Sequence, residues 1–246
     1  MLDEWFARRS QRDVSIKMNT GTGKTAVGLI ALRSSLNEGV SPALYVAPDR
    51  FLVRQAADQA GYLGIPCTEE PDSTAYASGD AIGIVTVHKL VNGRSVFGGP
   101  GSNRVQPVEI GAVVIDDAHA CVRTIEDQST VRIPKGYPEY IELLSMFEED
   151  LRGQSMAQFT DVQTGRIGTT IRVPISAWGE QIPAVIQLLE EYEDFDEDKP
   201  WQFSWSLIRD ILPACQAVFS SQAFEIQPLC PPTNRITSLE VAPRRL

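Results

Sequence analysis

An apolar run, a glycine turn and a helical pattern follow one another within VSIKMNTGTGKTAVGLIAL, residues 14–32, and this order constrains the fold more than any other feature. A strand that passes through glycines straight into a helix belongs in a parallel sheet wrapped by helices. The rest of the first 132 residues repeats the theme. ALYVAP, AIGIVTV and IGAVVIDD are rich in Val, Ile and other apolar residues and continuous enough to be buried on both faces, so with VSIKM they form the expected strands. A helix is expected over roughly Lys24 to Asn37, closed by Gly39, and a second over DRFLVRQAADQAGYLG, stopped by Gly61 or Gly64. FGGPGSNRVQP reads as a loop on composition.

Beyond about residue 133 the character changes. Tyr140, Leu143, Leu144 and Phe147 recur at helical spacing, as do Ile182, Val185, Ile186 and Leu189, so this half is expected to be helical and amphipathic. The charge run EEYEDFDEDKP fits a solvated helix end or loop.

The glycine turn has chemistry of its own. Backbone N–H groups of Thr20, Gly21, Thr22 and Gly23 would converge on phosphates, and the N-terminus of the following helix adds partial positive charge. Lys24 would bridge the outer phosphates of a nucleotide, and the Thr25 hydroxyl would bind Mg²⁺. Against the pattern G-x-x-x-x-G-K-[ST], Met18 stands where the first glycine belongs, and a chance Gly-rich turn is the alternative for this segment taken alone.

A second motif decides between them. VVIDDAHA ends an apolar strand in Asp116 and Asp117, two carboxylates at the carboxyl edge of a sheet, where they can face a phosphate site on a neighbouring strand. Asp116 suits the Mg²⁺ shell, and Asp117 could orient or deprotonate an attacking water. The four cysteines, Cys67, Cys121, Cys215 and Cys230, form no CxxC pair and read as free, mostly buried thiols.

TGTGKT followed by DDAH resembles the first RecA-like domain of superfamily 2 helicases, the DEAD/DEAH-box group, over about residues 13–122. YVAPDRFLVRQ is similar to that group's motif Ia, which implies that Pro48, Arg50 and Gln55 lie near a nucleic-acid backbone. IVTVHKL resembles its next strand, with Thr86 or His88 facing the same track, and His119 matches the position that links the nucleotide site to motif III. The implied fold is α/β, a RecA-like P-loop NTPase domain with a central, mainly parallel sheet, plus a mostly helical insertion. The implied division is 1–132 for the ATP-binding domain, 133–232 for an acidic helical insertion between motifs II and III, and 233–246 for the return towards motif III. TNRITSLEVAPRRL resembles the approach to that motif. The family reads adenine with a glutamine upstream of the phosphate loop, where Gln11 is a poor match, so selectivity for ATP is what the resemblance implies rather than the reading of a named residue. A second RecA-like domain is expected from the rest of a longer chain or from another subunit.

The resemblance implies ATP and Mg²⁺ as cofactors and nucleic acid, DNA ahead of RNA, as partner. Net charge is -10, but its distribution leaves room for such a partner. Residues 1–135 carry 14 Lys and Arg against 15 Asp and Glu, whereas residues 136–246 carry 8 against 17, so a polyanion would have to use a local patch in the first part. The leading expectation is a motor domain that hydrolyses ATP when a second domain completes the site. The alternative is a nucleotide-binding regulatory or scaffold subunit without turnover, and a small-molecule kinase is the third reading. No apolar run approaches the roughly 20 residues of a membrane span, and a cytoplasmic location is expected.

Overall fold

The computed structural model describes residues 2–19, 21–98, 105–191 and 199–229. The first half opens with helix α1 (Leu2–Arg8) and continues through α2 (Lys24–Asn37), β1 (Ala43–Ala47), α3 (Arg50–Tyr62), β2 (Cys67–Thr68) and α4 (Thr74–Ala77). It closes with β3 (Ile82–Thr86), α5 (Val87–Leu90), β4 (Ala112–Ile115) and α6 (Ala118–Gln128). The four strands form a parallel sheet in the order β2-β3-β1-β4. Side chains alternate across the sheet with period two. Ala43, Tyr45 and Ala47 therefore pack with Leu29 and Leu32 of α2 and Val53, Ala56 and Ala60 of α3. Leu44 and Val46 face the other way, onto Tyr76 of α4, Val87 and Leu90 of α5, and Cys121 and Ile125 of α6. Both faces are covered, which is why the central strand reads as one unbroken apolar run. This is an α/β, RecA-like arrangement.

α2 has the bounds expected from its periodicity, and Gly39 with φ 81° follows it. Asp49 caps α3, its carboxylate accepting from the Leu52 N–H at 2.9 Å, and Gly64 with φ 65° follows that helix. One expected strand does not form: residues 14–18 carry no strand and Ile16 is 40% exposed. VSIKM alternates apolar and polar residues as a strand should, but a strand is stabilised by a neighbour's backbone, and β4 is an edge of the sheet with β1 as its partner among the described residues.

The second half contains more helix than strand, yet it is organised by a sheet the sequence pattern does not announce. Its elements are β5 (Val131–Pro134), α7 (Pro138–Met146), α8 (Glu148–Thr164), β6 (Thr170–Arg172), α9 (Ile175–Glu191), α10 (Gln202–Ile208), a 3₁₀ segment Arg209–Ala214, β7 (Cys215–Ser220) and β8 (Ala223–Pro228). The strands pair antiparallel in the order β5-β8-β7-β6. Tyr140 and Leu143 of α7 and Phe147 just after it join Trp178, Val185 and Leu189 of α9 and Phe219 and Phe224 of the sheet in one core. The first sheet strand of this half begins at Val131, and residues 230–246 lie outside the described residues.

The halves meet at a close approach. A Cβ on Gly93 would lie 2.5 Å from Ser206 Cβ and 2.7 Å from the Phe203 carbonyl oxygen, so only glycine lets the loop after α5 rest on α10. Beside it the Arg94 guanidinium donates to Gln202 Oε1 at 3.1 Å and lies 5.0 Å from the Phe203 ring centre. The second half also holds a buried ion pair: Lys199 Nζ is 3.2 Å from Glu139 Oε1. Among the described residues no helix is long and apolar enough to cross a membrane.

Candidate functional site

The glycine turn adopts the conformation its composition implies. Gly21 and Gly23 have φ 78° and 80°, the left-handed region, and a Cβ at either would meet nothing within 4 Å. Their requirement for glycine is conformational rather than steric. Gly23 occupies the N-cap of α2, and no described side chain caps this 14-residue helix. Its first N–H donors and the helix dipole point out of the turn, as an anion site requires. The Thr22 hydroxyl donates to the Asn19 carbonyl at 2.6 Å and ties the turn together. Lys24 is exposed at the first helical position and Thr25 half-buried at the second. Thr20 lies outside the described residues.

Asp116 follows β4 directly, and its backbone N–H donates to the Val46 carbonyl of β1 at 2.9 Å, extending the parallel ladder by one step. Both carboxylate oxygens are held. The Asp117 N–H donates to Oδ1 at 3.0 Å, and the Tyr45 hydroxyl donates to Oδ2 at 2.8 Å. The Thr25 side chain lies close to the same phenol. Burial foremost, and then the Asp116 charge, raise Tyr45 above the ordinary tyrosine range, so it stays a donor. Thr25 of the first motif and Asp116 of the second thus both lie at one phenol, though 91 residues apart in the chain.

The second carboxylate is placed differently. Asp117 is exposed with φ 44° and caps α6, its Oδ1 accepting from the Ala120 N–H at 3.4 Å. His119 is exposed at the second position of α6. Cys121 donates its thiol to the Asp116 carbonyl at 3.3 Å. Burial, then the charges of Asp117 and Asp116, push that thiol up to about 12.

The residues of the expected strand track gather at the same sheet edge, because Ala47 pairs with Thr86 and Val46 with Ile115. Pro48 is buried just past β1, and Arg50 is exposed at the start of α3. Thr86 is the last residue of β3, and its Oγ1 accepts from the Lys89 N–H at 3.3 Å, capping α5, on which His88 is exposed. Gln55 does not join them; it is exposed more than one turn further along α3. Cys67, Cys121 and Cys215 are free thiols, and Cys230 lies outside the described residues.

The donors near the turn fit Mg²⁺. They are a hydroxyl and an oriented carboxylate, hard oxygen ligands, and this cation is commonly held by one or two carboxylates together with substrate phosphates. Among the described residues no group of three His, Cys, Asp or Glu side chains forms a metal cage of its own. Tyr45 is the site residue that the sequence motifs do not reveal. Its signal is a hydroxyl in the middle of the otherwise aliphatic strand ALYVA, where a buried phenol needs a partner.

The family model for the DEAD/DEAH box helicase matches residues 4–133, more than half of the 246 residues. No curated protein matches the chain significantly. Among solved structures, Xpd4 of S. tokodaii aligns over 90% of this chain at 14% identity with a TM-score of 0.45. The chain spans 50% of the length of that structure.

Proposed function

The chain belongs to the DEAD/DEAH box helicase family, and on that premise we propose that it is the ATP-binding half of a nucleic-acid motor, completed by a second RecA-like domain. The observation that carries the proposal is the approach of Thr25 and the Tyr45-held Asp116 carboxylate to one another beside a helix N-terminus that no described side chain caps. In this reading the N–H groups of Gly21 to Lys24 receive the nucleotide phosphates, and Lys24 neutralises their outer charge. Thr25 and Asp116 hold Mg²⁺, which when bound screens phosphate charge and orients the leaving and attacking oxygens. Asp117 orients the attacking water, and His119 relays the state of the site along α6. Pro48, Arg50, Thr86 and His88 carry the nucleic-acid strand, with DNA the first polymer to test. Contacts of this kind to the backbone position the strand without reading its sequence.

A second reading has an observation of its own. The Asp117 carboxylate caps α6 and is one methylene shorter than the glutamate usual at that position, which supports a nucleotide-binding subunit that does not turn over. The two readings part in one experiment: equilibrium binding of ATP and its hydrolysis rate, with and without single-stranded DNA, for the chain and for Lys24→Ala. Lys24-dependent binding with DNA-stimulated hydrolysis supports the motor, and Lys24-dependent binding without hydrolysis, even beside a second RecA-like domain, supports the subunit. Absence of Lys24-dependent binding refutes both.

A further inference from the structure

We infer that Tyr45 is a positioning residue of this nucleotide site, its phenol fixing the orientation of the Asp116 carboxylate that is to hold the cation. The inference rests on the nucleotide reading above and adds to it a residue that neither motif contains.

The argument begins with packing. Tyr45 is 1% exposed, in the centre of β1, and its ring runs beneath α2. It can do so because residue 28 of that helix is glycine. A Cβ there would stand 3.0 Å from Tyr45 Cε2, 3.0 Å from Val114 Cγ1 and 3.7 Å from Tyr45 Cδ2. Glycine inside a helix costs about 1 kcal/mol relative to alanine, so the position favours ring passage over helix propensity. An aliphatic residue at position 45 would fill the same core; the hydroxyl at the far end of the ring does more.

At that end two donors meet one carboxylate. Tyr45 donates to Asp116 Oδ2 at 2.8 Å, and the Asp117 N–H donates to Oδ1 at 3.0 Å, so both carboxylate oxygens are held. A carboxylate beside a cation must be kept from rotating, and these two donors do that. Groups that orient metal ligands in this way typically govern affinity by 10–100-fold.

The test is Tyr45→Phe, which keeps the ring and removes the hydroxyl. Binding of fluorescently labelled ATP is measured against Mg²⁺ concentration, and separately in EDTA, for the wild-type chain, Lys24→Ala and Tyr45→Phe. The inference expects the Mg²⁺ concentration for half-maximal binding to rise about tenfold in Tyr45→Phe, with binding in EDTA within about twofold of wild type. A Mg²⁺ midpoint within about threefold of wild type, or an equal loss in EDTA, overturns it while leaving the nucleotide reading intact. No Lys24-dependent binding by the wild-type chain overturns the nucleotide reading and Tyr45's role together. Gly28→Ala, which crowds the ring, is expected to shift the midpoint the same way. It should shift it no further in a Tyr45→Phe background if the two act through one hydroxyl.

Discussion

Replacing Lys199 by methionine removes the cation that faces a wholly buried carboxylate. Glu139 is 0% exposed at the second position of α7, and Lys199 lies 3.2 Å away with 15% of its side chain exposed. Neither Glu139 oxygen has an aligned hydrogen-bond donor, so the ion contact and the helix N-terminus are what offset the burial of the charge. Breaking such a pair from one side typically costs about 3–5 kcal/mol, because the remaining charge stays buried. Methionine also forfeits a cation placed 5.4 Å from the Tyr137 ring centre and 5.8 Å from that of Trp201, on the order of 1 kcal/mol more. The sum is a large share of the stability of a unit of this size, and a fall in its melting temperature of 10 °C or more is expected, on the order of 4–8 °C per kcal/mol. The assay is urea unfolding followed by tryptophan fluorescence. Trp178, Trp201 and Trp205 are all buried in this half, and Trp5 is the fourth, so the signal reports mainly on the unit that contains the pair. Lys199→Met combined with Glu139→Leu should recover most of the loss, since it removes both charges. A loss below about 1 kcal/mol in Lys199→Met, or a double variant no more stable than the single, would refute the reasoning.

Gly93→Ala pushes a Cβ to within 2.5 Å of Ser206 and 2.7 Å of the Phe203 carbonyl, and overpacking of this kind costs about 1–3 kcal/mol. Faster limited proteolysis in the loop after α5 is expected, with the urea midpoint of the second half little changed. A pH effect follows from Cys215, 4% exposed, whose thiol burial pushes from 9.0 up to about 12. Between those values the folded chain keeps a proton that the unfolded chain has lost. The stability contributed is whole below pH 9 and falls as pH rises, by up to about 1.4 kcal/mol per pH unit. Cys215→Ala should flatten that part of the slope in urea titrations at pH 8.5 to 10.5, and an unchanged slope would count against it.

The first half was legible because its signals are redundant. α2 could be bounded closely, since the turn glycines fix its start and Gly39 its end, and β1, β3 and β4 were visible as aliphatic runs. Residues 14–18 failed for the opposite reason: alternation marks a chain able to pair, while pairing depends on what lies alongside. In the second half the long helices α7 and α9 showed plainly, yet the antiparallel sheet was hidden in strands of three to six residues. The pattern existed in CQAVFS, where Cys215, Ala217 and Phe219 are buried and their neighbours half-buried, but six residues set among helical periods do not stand out. Tyr45 escaped because motifs describe the loops that hold ligands, whereas its role comes from strand order and from one glycine on another element.

The pairing of β5 with β8 sets Val131 opposite Ile226 and Pro134 opposite Ala223. Neighbouring strands lie about 4.8 Å apart, so the chain departs from α6 and comes back almost to the same point after the whole second half has been traversed. The two ends of that half therefore stand side by side on neighbouring strands, and a linker of a few residues could join Val131 to Ile226 directly.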